Sequence, residues 1–193
     1  EQAIPTTTRN PASAAQPRPV DVVVAIDTSG SMESLLDATR ARIWDVVNAM
    51  GRMKPTPELR VGLLSYGTGY ATEAEGFIIR HLDLTGDLDE VYAKLMALQT
   101  GGSTELVGRV LNGAIDHMSW TRDPAALRVI FLAGNESADQ GVEQADFRTA
   151  SRAASKRDII VNALYAGARE AGVAENWPEV AQLGKGNFSA INP

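Results

Sequence analysis

The stretch VVVAIDTSGSM, residues 22–32, joins an apolar strand directly to a polar turn, and this junction is the clearest indication of the fold. The apolar run begins at Val20, is largely β-branched, and has the length of one strand. A strand without a polar face is covered on both sides, as in a parallel sheet between helices. The run ends at Asp27, and Ser29 and Ser31 follow with Gly30 between them. The sequence therefore places three oxygen-bearing side chains at the carboxyl end of a buried strand.

The remainder of the chain alternates between strand and helix patterns. Strands are predicted over residues 20–26, 59–66, 77–82, 127–133, 159–167 and 187–191, and helices over residues 34–53, 87–98, 105–118, 146–156 and 177–183. This alternation predicts an α/β fold, with a doubly wound and mostly parallel central sheet flanked by helices. In such sheets ligands bind at the carboxyl ends of the strands, which is where Asp27 lies.

The chain divides into a leader and one domain. Residues 1–19 are rich in proline, threonine and alanine and predict a flexible leader. Residues 20–193 have the length of a single domain with its own core. From this leader and the missing initial methionine, we expect an extracytoplasmic location: secreted, periplasmic or surface-tethered.

Composition excludes several classes of function. The net charge is −6 and no basic cluster offsets it, so we expect no nucleic-acid partner. No apolar run approaches the roughly 20 residues that span a bilayer, so we expect no membrane insertion. With two histidines and no cysteine, any metal ion must bind to oxygen ligands.

The D-x-S-x-S spacing of residues 27–31 supports two interpretations. In a turn, it can bring the three side chains to one side and supply part of the octahedral oxygen shell of Mg²⁺. Alternatively, Ser31 caps the following helix, and Glu33 lies near the positive end of the helix dipole. The buried strand before the motif and the amphipathic helix after it favour the metal site.

A second polar stretch, GGSTELVGRVL, places Thr104 after two glycines at the start of another predicted helix. Threonine alone is an ordinary cap there. Together, the two stretches resemble the von Willebrand factor A domain and its metal-ion-dependent adhesion site. The resemblance extends from Val20 to Ile191 in the order of elements. It implies that Ser29, Ser31 and Thr104 ligate Mg²⁺ or Mn²⁺, and that Asp27 holds the ion directly or through water.

The chain departs from the family pattern at a third acidic position, in the loop after the fourth strand. That loop follows the strand VIFLA, and Gly134 stands where the family usually has an aspartate. Three outcomes are open. Asn135 or Glu136 substitutes as ligand, the ion binds well only when a partner donates a carboxylate, or the site is empty. The resemblance is to a variant form found in a bacterial subgroup.

The expected function is metal-dependent protein binding, for adhesion or scaffolding, without catalysis. An ion held mainly by neutral hydroxyls stays electrophilic, so an Asp or Glu carboxylate from a partner protein would complete its shell. Tyr70 is a candidate for partner contact, or it packs on its own loop. The alternatives are a metal-free scaffold domain with a decayed site, and a metal-assisted hydrolase with Asp27 or Glu136 as its base. The oligomeric state cannot be read from the sequence.

Overall fold

The structure, a computed structural model, describes residues 17–72, 78–143 and 145–191. Most of the predicted leader lies outside the described residues. The strands are β1 (Pro19–Asp27), β2 (Glu58–Tyr66), β3 (Ile78–Thr85), β4 (Leu127–Gly134), β5 (Ile159–Ala166) and β6 (Lys185–Ile191). The helices are α1 (Leu36–Gly51), α2 (Leu88–Met96), α3 (Val107–Asp116), α4 (Phe147–Lys156), α5 (Arg169–Ala174) and α6 (Trp177–Leu183).

The strands form one six-stranded sheet in the order β3-β2-β1-β4-β5-β6. The edge strand β3 is antiparallel to β2, and the other described pairings are parallel. This confirms the predicted α/β fold with a mostly parallel, doubly wound sheet. The chain leaves β1 toward β2 on one side and returns to β4 on the other, so strand order reverses at β1. The carboxyl end of β1 is therefore the point at which such sheets bind ligands.

The two faces of β1 explain the apolar sequence of residues 22–26. Val23 and Ala25 belong to the core cluster beneath α3, α4 and α6. Val22, Val24 and Ile26 belong to the cluster on the opposite face, beneath α1 and α2. Because side chains alternate along a strand, a strand between two helical layers is apolar on both faces, as residues 22–26 are. Asp21, near the start of the strand, is the exception: it is buried, and its carboxylate accepts hydrogen bonds from the Arg60 guanidinium.

Two shifted helix starts and one helix that was not predicted bear on the polar end of the sheet. A short 3₁₀ turn, Gly30–Met32, precedes α1, which begins only at Leu36. Helix α3 begins at Val107 instead of residue 105, which leaves Glu105 in the preceding loop. Helix α5 was not predicted, since six residues are too few to show an apolar period.

Candidate metal centre

Three loops meet at the carboxyl end of β1, and backbone hydrogen bonds hold them together. The Thr28 N–H donates to the Tyr66 carbonyl at the end of β2 (2.9 Å). The Gly101 N–H donates to the Thr28 carbonyl (2.8 Å), and the Gly30 N–H donates to the Gly102 carbonyl (3.0 Å). The loops after β1 and β2 and before α3 therefore form one rigid rim.

The two serines of the motif face each other across this rim. The Ser29 and Ser31 hydroxyl oxygens are 3.0 Å apart and share a hydrogen bond. The Ser31 hydroxyl donates to Asn135 Oδ1, also at 3.0 Å. Neither the 3₁₀ turn nor α1 receives a hydrogen bond from a capping side chain. The alternative interpretation, in which Ser31 caps the following helix, is therefore wrong. The Ser31 hydroxyl instead contacts the loop after β4.

Asp27 is the deepest member of the cluster, with no exposed surface. Its Oδ1 accepts a hydrogen bond from the Ser29 N–H at 2.7 Å, whereas its buried Oδ2 has no hydrogen-bond partner. Burial, with a further contribution from the Glu105 charge, raises the pKa of Asp27 from 3.8 to about 7. A buried carboxylate oxygen without a donor is costly, so this position favours either a proton or a cation.

Glu105 also reaches the cluster, and the sequence analysis did not identify it. The residue is 4% exposed, and its N–H donates to Gln140 Oε1 at 2.6 Å. A Cβ atom placed on Gly67 would lie 2.9 Å from Asp27 Oδ1, 3.1 Å from Glu105 Cγ and 3.2 Å from Ser29 Cβ. The three side chains therefore converge on one point. Burial raises the pKa of Glu105, although hydrogen bonds from Gln140 and Ser29 oppose this shift.

The two remaining predicted ligands lie less centrally. The structure gives the Thr104 side chain no hydrogen bond to Asp27, Ser29 or Ser31, and α3 has no side-chain cap. Glu136 lies close enough to raise the pKa of Glu105 through its charge, but no hydrogen bond joins it to the serines. Both stay predictions as metal ligands. The residues that the structure brings together are Asp27, Ser29, Ser31, Asn135 and Glu105.

The geometry around Gly134 explains why this position has no side chain. A Cβ atom there would overlap the hydroxyl of Tyr66 and lie 3.0 Å from Asp27 Cβ. The Tyr66 side chain is fully buried, and its hydroxyl donates to the Ala133 carbonyl at 3.1 Å. The tyrosine therefore fills the space that a side chain at residue 134 would need.

Hydrogen bonds from two core side chains fix the loop after β4 and set the position of Asn135. The Asn135 carbonyl accepts a hydrogen bond from the Tyr165 hydroxyl at 2.9 Å. The Glu136 carbonyl accepts one from Trp177 Nε1 at 2.8 Å, and Trp177 is buried against Tyr165. With both carbonyls turned toward the core, the Asn135 side chain is directed to Ser31.

The donor set fits a hard divalent cation. Carboxylate, hydroxyl and amide oxygens converge here, and Mg²⁺ and Mn²⁺ bind such oxygen ligands. Across residues 17–72, 78–143 and 145–191, no group of three or more His, Cys, Asp or Glu side chains is arranged to hold a metal. A site here would therefore depend on two carboxylates supplemented by neutral oxygens.

In the metal-free chain, we expect the contribution of Asp27 to stability to fall as pH rises from about 4 to about 7. Its raised pKa means that the folded state keeps a proton that the unfolded state loses above pH 3.8. The contribution is complete below that pH and is lost as pH passes the folded value. Urea unfolding in metal-free buffer from pH 4 to pH 8, with Asp27→Asn as the reference, measures it. The prediction is contradicted if the difference in unfolding free energy between the wild type and Asp27→Asn is the same at every pH.

Comparison with known proteins places these observations in a family. The family model "von Willebrand factor type A domain" matches residues 21–183. A search of curated protein sequences gave no match. In the described parts of the chain, no helix combines the length and the apolarity needed to cross a bilayer.

Solved structures share the fold at low sequence identity. A conserved hypothetical protein BatB from Bacteroides thetaiotaomicron aligns with a TM-score of 0.65 at 19% identity, covering 90% of both chains. The SpRpn10 VWA domain aligns at 0.67 and 13% identity, covering 90% of this chain and 88% of that one. Proximal thread matrix protein 1 from the mussel byssus, solved "with zinc occupied MIDAS motif", aligns at 0.68 and 11% identity. This alignment covers 91% of this chain and 42% of the byssus protein.

Proposed function

Because the chain belongs to the von Willebrand factor type A domain family, we propose that it is a metal-dependent protein-binding module for adhesion or scaffolding. The observation that carries the proposal is Asp27 Oδ2, which is fully buried and lacks a hydrogen-bond donor inside a cluster of oxygens. A divalent cation at this point would satisfy that oxygen and relieve the repulsion between Asp27 and Glu105.

The residues proposed to hold Mg²⁺ or Mn²⁺ are Asp27, Ser29 and Ser31, with Asn135 at the rim. Bound there, the ion would supply a Lewis-acidic position for an oxygen ligand of another molecule. Ser31 is exposed while Asp27 and Ser29 are buried, so the cluster opens to solvent on its Ser31 side. An incoming carboxylate would therefore approach from that side.

The proposed partner is a protein that presents an Asp or Glu side chain. Tyr70, whose ring lies against Gly101 in the rim, is 73% exposed, as expected for a residue that contacts a partner. Because Asp27 is fully buried and bonded to the Ser29 N–H, the geometry suits it to holding an ion better than to acting as a hydrolytic base. The extracytoplasmic location stays a prediction from the leader sequence.

We expect a carboxylate to displace water from Mn²⁺ bound to this chain. Water-proton relaxation by Mn²⁺ reports the exchangeable waters on the ion. Adding millimolar acetyl-Gly-Glu-Gly-amide should lower the relaxation enhancement of the chain with bound Mn²⁺. The matched peptide acetyl-Gly-Gln-Gly-amide, which lacks the carboxylate, should leave it unchanged. Equal responses to both peptides would contradict recognition of a carboxylate. The absence of any Mn²⁺ binding would instead favour a metal-free scaffold domain.

A further inference from the structure

Two buried carboxylates face each other at the carboxyl end of β1 without a basic partner. Asp27 is fully buried and Glu105 is 4% exposed. Burial is the main cause of the upward pKa shift of Asp27, and the charge of Glu105 adds to it. In the described part of the chain, no lysine, arginine or histidine forms an ion pair with either group.

The available hydrogen-bond donors do not neutralise this pair. The Ser29 hydroxyl has one proton, yet it lies within hydrogen-bonding reach of Asp27, Glu105 and Ser31. The Ser31 hydroxyl donates to Asn135 Oδ1. Asp27 Oδ2 consequently remains unpartnered. The Gln140 side chain also lowers the pKa of Glu105, and the Asn135 N–H lowers that of Asp27, but these donors are neutral. They leave the two negative charges unbalanced, which is the condition in which a cation is favoured.

We propose that Glu105 is the second protein carboxylate of the divalent-cation site, supplied by the loop before α3. This inference rests on the proposed function, because it assigns a further ligand to the same ion. Glu105 directly follows Thr104, the ligand that the resemblance predicts from the same loop. It also supplies the negative charge that the loop after β4 lacks at Gly134.

The structure explains why the second charge comes from this loop. Tyr66 and Asp27 exclude a side chain at residue 134. Helix α3 begins only at Val107, so Glu105 lies in a loop segment whose side chain can turn inward. Gln140 accepts the Glu105 N–H at 2.6 Å and fixes the backbone at that point. With Asp27 and Glu105 both ionised, the two charges balance those of one divalent cation.

The test compares the Mn²⁺ affinity of the whole chain with that of Glu105→Gln, by calorimetric titration at pH 8. Glu33→Gln is the matched control, because Glu33 is exposed near the site and the change in net charge is the same. We expect Glu105→Gln to weaken Mn²⁺ binding at least tenfold and Glu33→Gln to change it less than threefold. Glu105→Asp keeps the charge and should retain part of the affinity. Metal-free Glu105→Gln should melt at the same temperature as the wild type or higher, since one of two repelling charges is gone.

The outcomes separate this inference from the proposed function. If the wild type and Glu105→Gln bind Mn²⁺ equally while Asp27→Asn does not bind, Glu105 is not a ligand and the proposed function survives. If Glu136→Gln shows the loss and Glu105→Gln does not, the second carboxylate is Glu136. If the wild type binds neither Mn²⁺ nor Mg²⁺, both proposals fail. A metal-free Glu105→Gln that melts several degrees lower would assign Glu105 a structural role and overturn the inference.

Discussion

Asp27→Asn is expected to abolish Mn²⁺ binding and, at the same time, to stabilise the metal-free chain. The loss of binding should exceed about 100-fold, because outer-shell partners of a metal site alone contribute about 10- to 100-fold. The stabilisation has a separate cause. Asp27 is fully buried, one of its oxygens has no donor, and burial raises its pKa to about 7. An amide of the same shape removes that buried charge.

The gain in the metal-free chain should be about 1–2 kcal/mol at pH 8, or roughly 2–8 °C in melting temperature for a domain of this size. The side-chain oxygen of the introduced amide can still accept from the Ser29 N–H, and its NH₂ group would replace Oδ2 beside Gly134. Thermal unfolding with and without Mn²⁺ measures both effects on one protein. A variant that is less stable without metal would show that Asp27 has a structural role in the metal-free fold. Retained Mn²⁺ binding would show that the ion does not depend on Asp27.

Gly134→Asp, which introduces the acidic residue usual in the family, is expected to destabilise the chain and not to strengthen Mn²⁺ binding. A Cβ atom at residue 134 would overlap the Tyr66 hydroxyl and press on Asp27. Tyr66 cannot move aside, because it is fully buried and bonded to the Ala133 carbonyl. Overpacking of this kind costs typically about 1–3 kcal/mol, and a third carboxylate beside Asp27 and Glu105 adds repulsion.

The double variant Tyr66→Phe/Gly134→Ala tests that explanation. Removing the hydroxyl opens the space that the alanine Cβ needs, so the double variant should be more stable than the sum of the single variants predicts, by about 1 kcal/mol. Urea unfolding of the four proteins gives this coupling free energy. Strict additivity would show that Tyr66 is not what excludes a side chain from residue 134. An increase of Mn²⁺ affinity in Gly134→Asp would contradict the account of the loop after β4.

The sequence predicted the architecture well because burial determines it directly. An apolar run such as residues 22–26 has no polar face and must lie between two layers, and the amphipathic segments that follow supply those layers. Boundaries were less accurate. The polar turn after β1 contains a 3₁₀ segment, Gly30–Met32, whose ends no apolar period marks.

The candidate site was only partly predictable. Asp27, Ser29 and Ser31 follow β1 directly, so their position was set once the strand was identified. Glu105 was missed because the direction of a loop side chain depends on the backbone path, which Gly102 turns with a φ of 104° against the loop after β2. One signal was available. Glu105 lies between two glycines and the apolar start of the next helix, close in the chain to Thr104, which the resemblance predicts as a ligand.

The clash at Gly134 was not predictable from local sequence. It involves Tyr66, which is distant along the chain and ends β2, whereas Gly134 ends β4. Strands β2 and β4 lie on the two sides of β1 in the sheet. The Tyr66 side chain therefore passes the end of β1, at Asp27, to reach the Ala133 carbonyl on β4. Such a contact follows from strand order and the length of one side chain, neither of which a motif records.

The metal site is tested most directly by a crystal structure grown with Mn²⁺, using anomalous scattering to locate the metal. We expect one ion within about 2.5 Å of Asp27 or its bound water, Ser29 and Ser31, with a Glu105 oxygen also in its shell. Density for the ion at another position, or no anomalous peak at the end of β1 at saturating Mn²⁺, would contradict this expectation.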